Sequence, residues 1–315
     1  MRVCRWWSAS STGVFCTRNL ILFLYIFYIT LFPICLYRMS SLRSKLHPFH
    51  VVNPTYTPLL ASFALWGLLF FSVILINPEV NIITISPNSK IIGLFVFVTI
   101  LALSFFFWGS EISVESVEGH HTFDVRRGLR YGFILFIASE VMFFFSVFWA
   151  FLHLASMPSI HMGGVWPPLG IHTLDPRGIP LLNTVVLLSS GMFTVWAHRA
   201  LLAGYKKDAI VSILGACLLG LYFSWLQFLE YSLTDFSIND SAYGSVFFFA
   251  TGFHGIHVIV GTILLWISYC RLANDLVSRE RHLGFEFAAW YWHFVDVVWI
   301  FLYVLLYWWG STRLS

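Results

Sequence analysis

Charge is scarce in this chain. Only 10% of its 315 residues are Asp, Glu, Lys or Arg, against about a quarter in a soluble domain. The net charge of +3 is too small to point to nucleic acid. The five cysteines, Cys4, Cys16, Cys35, Cys217 and Cys270, form no C-x-x-C pair and stand at no metal-ligand spacing. They read as inert apolar side chains. No internal repeat is visible, which weakens an inverted-repeat transporter. Residues 1–48 contain no Asp or Glu at all.

What fills the chain instead is apolar. Hydrophobic residues make up 58% and Phe alone contributes 33, with a mean hydropathy of +0.79. Several runs reach the ~20 residues a helix needs to cross about 30 Å of hydrocarbon. Inside a bilayer only helices and closed barrels satisfy their own backbone, and no barrel-like alternation is present. The sequence therefore predicts an all-α membrane protein. Seven segments stand out: Pro58–Ile76, Ile91–Trp108, Arg127–Leu154, Leu181–Ala203, Ala209–Tyr231, Tyr243–Cys270 and Leu283–Trp309.

Ahead of them, Arg2, Arg5 and Arg18 precede a further apolar run, Asn19–Tyr37, broken by Pro33. Three readings of residues 1–48 stay open. They form a targeting segment, an extra N-terminal hydrophobic helix, or translated sequence upstream of a start at Met39. Residues 49–315 form the seven-helix part.

Lys and Arg set the orientation. If the end before the first segment lies inside, then Arg38, Arg43, Lys45, Arg126, Arg127, Arg130, Arg199, Lys206, Lys207, Arg271, Arg279 and Arg281 also lie inside. Lys90, Arg177 and Arg313 fall opposite. The short loops leave no room for a soluble domain. The longest outer connection, about Ala155–Pro180, is rich in Pro and Gly and reads as a turn-rich cap.

Few polar residues interrupt the spans. Glu140 sits near the middle of the third, where a charge costs at least about 2.5 kcal/mol. Its apolar neighbours Phe136, Ile137, Val141 and Phe144 favour the neutral acid. It reads either as a proton-handling group or as a helix-positioning hydrogen-bond donor. The sixth span holds His254 and His257. The seventh holds His293 and Asp296, also at i, i+3 and so on one face. Glu286 lies about a turn from the basic boundary. Together these residues invite a metal reading, but the spans carry no E-x-x-H pair of the kind a carboxylate-bridged di-iron bundle uses. With Gly252, Gly255 and Gly261 beside them, the histidines fit interhelical hydrogen bonding better, and the spans are expected to hold no metal. Glu118-Gly-His120-His121-Thr122, near Arg126, Arg127 and Arg130, suits lipid head groups. Trp108 reads as an interface anchor, and Arg271 as a side chain that snorkels to a phosphate.

The motifs together resemble subunit III of mitochondrial cytochrome c oxidase. The matching runs are Glu118-Gly-His-His-Thr122, Gly128-Leu-Arg-Tyr-Gly132, Ser139-Glu-Val141, Trp166-Pro-Pro168, Pro180-Leu-Leu-Asn-Thr184 and Trp196-Ala-His198. They continue with Tyr243-Gly-Ser245, Ala250-Thr-Gly-Phe-His-Gly-Ile-His-Val258 and Ala289-Trp-Tyr-Trp-His-Phe-Val-Asp-Val-Val-Trp299. The resemblance runs from about His50 to the C-terminus. It implies seven transmembrane helices, the first two set apart from the other five by a lipid-holding cleft. It implies a subunit with no cofactor of its own, the haem and copper lying in partner subunits. Subunit I is the implied direct partner, with subunit II and the other oxidase subunits in the same complex and bound phospholipid around it. The implied location is the mitochondrial inner membrane, with the N-terminus of the seven-helix part on the matrix side. The family's buried, carbodiimide-reactive glutamate corresponds to Glu140, and its lipid contacts to Trp108, His121 and Arg271. The chain departs from the family at Phe107-Trp108-Gly109-Ser110 and at Ser113-Val114, where charged residues are usual, and Glu111 and Glu115 lie between and beside them. Two rival readings use the intramembrane His/Glu/Asp set: a stand-alone membrane metalloenzyme and a proton carrier.

Overall fold

The protein is seen in a computed structural model, which describes residues 48–77, 86–160 and 163–311. The readings of residues 1–47 lie outside the described residues. Among those described, seven helices are long and apolar enough to cross a membrane. They are α1 (Thr57–Ile76), α2 (Pro87–Val117), α3 (Phe123–Ser156), α4 (Ile179–Ala203), α5 (Lys206–Ser232), α6 (Ala242–Ala273) and α7 (Leu283–Leu302). A π-helical turn, Tyr303–Trp309, continues α7, closed by Gly310 N–H donating to the Leu305 carbonyl at 2.9 Å.

The expected segments map one to one onto these helices, and the second differs most at its boundary. α2 runs nine residues past Trp108, through Gly109–Val117. A helix outside hydrocarbon needs no apolar side chains, only backbone pairing. Ser110 and Ser113 also turn their hydroxyls back onto the Phe107 and Gly109 carbonyls. Trp108 therefore lies within the helix, stacked on Phe105 at 6.4 Å, and not at its end.

The chain divides into two compact units, residues 1–125 and 126–315. Two helices fall in the first and the bulk of five in the second, the grouping the resemblance implies. In the first unit α1 and α2 run antiparallel. Thr57 donates to Glu111 at 2.7 Å at one end, and Lys90 Nζ donates to the Ile74 carbonyl at the other. Between those ties each helix lends the other a glycine. The Phe97 ring fills the place of a side chain at Gly67, and the Phe71 ring does the same at Gly93. Lipid tails are as apolar as these rings, so close packing, not exclusion of water, holds the pair.

In the second unit α7 is the most buried span, with 56% of its apolar window inside. Trp292, Val295, Trp299 and Leu302 are fully covered, and the α7 indoles reach α4 through hydrogen bonds. Trp292 Nε1 donates to Ser190 Oγ and Trp299 Nε1 to Thr184 Oγ1, each at 2.9 Å. An aromatic cap closes the end where α3 stops. There Trp166, from the Pro/Gly-rich connection, packs edge-on to Phe151 and Tyr243 with ring centroids 5.4 and 5.3 Å apart.

Candidate functional site

Glu140 is the eighteenth of the 34 residues of α3, so it stands at mid-span. Its partner comes from α6: His257 Nε2 lies 3.0 Å from Glu140 Oε2. The other ring nitrogen, Nδ1, is 2.7 Å from the Phe253 carbonyl one turn back on the same helix. A carbonyl only accepts, so Nδ1 carries hydrogen. Phe144 stands edge-on to the imidazole at 5.1 Å, and Tyr291 stacks on it at 6.1 Å. The Glu140 side chain keeps some exposure, 25%.

This arrangement fixes a proton count. With Nδ1 committed to Phe253, the contact between Nε2 and Oε2 is attractive only if one proton lies in it. The pair is then either a neutral acid against a neutral imidazole, or a carboxylate against an imidazolium. Removing the proton sets an imidazole lone pair against a carboxylate in a low-dielectric setting, which is repulsive. The pair can hold one proton and can move it over a single hydrogen bond.

The remaining intramembrane candidates do not gather round it. His254 Nε2 lies 3.2 Å from the Val295 carbonyl, fully buried between Phe223 and Trp299. His293 Nδ1 approaches Asp296 Oδ2 at 3.4 Å on its own helix. The histidines thus form three separate contacts, with Glu140, Val295 and Asp296. Among the described residues, none of the five belongs to a group of three potential ligands close enough to share an ion.

Glu286 is 15% exposed and paired across helices. Arg130 of α3 grips it with a fork: Nε is 3.2 and 3.3 Å from the two carboxylate oxygens, and Nη2 is 3.0 Å from Oε2. Arg126 donates to the Glu280 carbonyl, and Arg127 lies against the Tyr131 hydroxyl and ring. The three arginines that read as lipid-facing thus all have protein contacts. Arg130 is 43% exposed, so Glu286→Gln is expected to cost only about 1 kcal/mol or less. A shift of that size in the thermal dissociation of the complex checks it, and a much larger loss means water does not reach the pair.

The lipid candidates fall in both units. In the first unit, His121 lies beside Glu115, Nε2 to Oε2 3.9 Å, and its ring is 5.4 Å from that of His50. In the second unit, Arg271 occupies the last turn of α6. Its guanidinium lies over Gly284, with Nη1 about 3.0 Å from where a side chain would begin. Its buried Nε has no hydrogen-bond acceptor among the described residues, which suits an oxygen supplied from outside the chain.

One buried carboxyl was not singled out in the sequence. Glu230, near the end of α5, is 1% exposed. Its Oε1 accepts from the Tyr307 hydroxyl at 2.6 Å. Gln227, one turn earlier, accepts from Asn183 of α4 at 3.4 Å. The spacing Gln227–Glu230, at i, i+3 on one helix face, was the available signal.

The comparisons with known proteins agree with this architecture. The family model for cytochrome c oxidase subunit III matches residues 47–311. Cytochrome c oxidase subunit 3 of Arabidopsis thaliana is 46% identical over 270 residues, 86% of this chain and 99% of that protein. The same subunit of Marchantia polymorpha is 48% identical over 269 residues, covering 85% and 99%. That of Latimeria chalumnae is 48% identical over 266 residues, covering 84% and 98%. A family match over the residues that build all seven helices, with relatives covered nearly end to end, places this chain in the cytochrome c oxidase subunit III family.

Proposed function

We propose that the chain serves cytochrome c oxidase as a non-catalytic core subunit, with no redox centre of its own. In this reading it packs against subunit I in the mitochondrial inner membrane, in a complex that includes subunit II. The N-terminus of the seven-helix part faces the matrix. It steadies the catalytic core, binds phospholipid through Trp108, His121 and Arg271, and supports proton uptake while electrons pass from cytochrome c to oxygen. Haem and copper belong to the partner subunits.

The observation that carries this reading is the Glu140–His257 pair. A one-proton couple at mid-span, fixed by the Phe253 carbonyl and walled by rings, suits a group that tunes local charge. It lacks the convergent ligands of a redox metal. The nearest histidines bond elsewhere, His254 at the Val295 carbonyl and His293 at Asp296, which gives a carrier reading no support. In this reading Glu140 is a modulator of local charge and not a catalytic group.

Glu140→Gln tests it. The amide keeps the hydrogen bond to Nε2 but cannot give up a proton. The expected result is normal assembly, electron transfer close to wild type, and fewer protons translocated per electron in reconstituted vesicles. A variant that assembles normally yet loses all oxygen reduction overturns the supporting role.

A further inference from the structure

His121, assigned above to phospholipid, also belongs to a cluster whose other members, His50 and Glu115, that function leaves unused. In the first unit, three segments bring one imidazole or carboxylate each to a single point. His50 precedes α1, Glu115 lies in the last turn of α2, and His121 lies in the turn that follows. His50 Nε2 is 3.4 Å and His121 Nε2 3.9 Å from the same atom, Glu115 Oε2. All three ligand atoms lie within 4.8 Å of one another. We propose that His50, Glu115 and His121 form a binding site for a divalent transition metal, of which Zn²⁺ is the best fit.

Geometry supports this. A tetrahedral Zn²⁺ with arms of about 2.0–2.1 Å sets its ligand atoms about 3.4 Å apart. One edge of the triangle already has that length, and another exceeds it by about half an ångström. Small side-chain rotations close the rest. Two imidazoles and a carboxylate are a donor set that zinc takes, with the fourth position left to water.

The backbone around the point is already tied. Thr122 Oγ1 donates to the Pro48 carbonyl at 2.8 Å, two residues from His50 and one from His121. Thr57 holds Glu111, one helical turn from Glu115. Ordering cost is therefore small for a metal that arrives there. His50 is 37% exposed, which leaves an entry path.

Local charge points the same way. Among the described residues of this unit, Glu111, Glu115, Glu118 and Asp124 gather at this end. Lys90, the one Lys among the described residues of this unit, is tied to Ile74 at the opposite end. Glu118 is already matched with His120 at 3.4 Å, so it adds field without being a ligand. A bound cation would pin the lead into α1, the end of α2 and the following turn together.

The test uses the assembled oxidase, stripped with a chelator and then titrated with Zn²⁺ alone. Bound metal is counted after gel filtration in wild type and in Glu115→Gln, His50→Gln and Glu118→Gln. Wild type and Glu118→Gln are expected to bind one more Zn²⁺ per complex than the other two. In those two, affinity at this site should fall about 100-fold or more, beyond the loss typical of a change outside the ligand set. Equal stoichiometry in all four overturns the proposal. So does a loss in Glu118→Gln equal to that in Glu115→Gln, which would mean a diffuse acidic patch. A measurement on wild type alone guards against variants that fail to assemble. Zn²⁺ should protect His50 and His121 together from diethylpyrocarbonate, read by peptide mass spectrometry, and undiminished labelling of either rejects the site.

Discussion

Replacing Trp292 with alanine is expected to release this subunit from the oxidase at detergent concentrations the native complex survives. Trp292 is fully buried and touches three helices at once. Its ring edge lies where side chains would start at Gly220 of α5 and Gly261 of α6, with ring carbons 2.7 Å from each ideal position. Its indole N–H donates to Ser190 of α4. In a soluble core such a truncation costs about 3–5 kcal/mol, part of it transfer from water. In a bilayer the transfer part shrinks, because lipid is as apolar as the interior. The cavity and the lost hydrogen bond to Ser190 remain, Ser190 keeping its own bond to the Leu187 carbonyl, leaving about 2–3 kcal/mol on the same scale. Retention of the subunit on native gels across a detergent series reads this directly. The converse change, Gly261→Leu, should fail in the same assay through overpacking, since the Trp292 ring is rigid and has nowhere to go. A Trp292→Ala complex as robust as wild type would remove α7 from the centre of the five-helix unit.

How much of this was legible beforehand differs by feature. The seven spans follow from apolar runs, because hydropathy measures the property the bilayer selects. Boundaries are weaker where a helix leaves the hydrocarbon. The polar residues from Gly109 to Val117 continue α2 for reasons hydropathy does not measure. Glu140 was visible as a lone carboxylate, and His257 as one of two histidines a turn apart. Their pairing was not visible, since 117 residues separate them and a single sequence holds no signal for which helices adjoin. The same limit applies to Arg130 and Glu286, 156 residues apart. The hydrogen bonds of Trp292 and Trp299 to Ser190 and Thr184 depend on the rotation of α7, for which the sequence carries no signal. Glu230 went unnoticed because it sits at the edge of its apolar run, where a carboxylate is ordinarily hydrated. The π-helical turn that brings Tyr307 over it has no signature in periodicity.

Tyr307→Phe is the second large effect, and its logic is that of an acceptor left alone. Glu230 and Tyr307 are each 1% exposed, and the hydroxyl gives the carboxyl its short 2.6 Å bond. Glu230 Oε2 already lacks a donor among the described residues. Deleting the hydroxyl costs the carboxyl its closest donor, with an expected penalty of about 1–3 kcal/mol. The interaction itself is worth less, since pairs between membrane helices average about 0.6 kcal/mol. That difference yields a sharper expectation than either single change. Glu230→Leu with Tyr307→Phe removes donor and acceptor together and leaves two apolar groups of similar reach. The double variant should therefore be more stable than Tyr307→Phe alone, by about 1 kcal/mol or more. Thermal dissociation of wild type, both single variants and the double variant, run side by side, decides it. Strict additivity of the two losses would mean the carboxyl and hydroxyl do not depend on each other. A stabilised double variant that pumps protons normally would also show that Glu230 serves packing alone. Normal stability with reduced pumping would instead make Glu230 a second proton-linked carboxyl, at the end of the bundle capped by Trp166 rather than at mid-span.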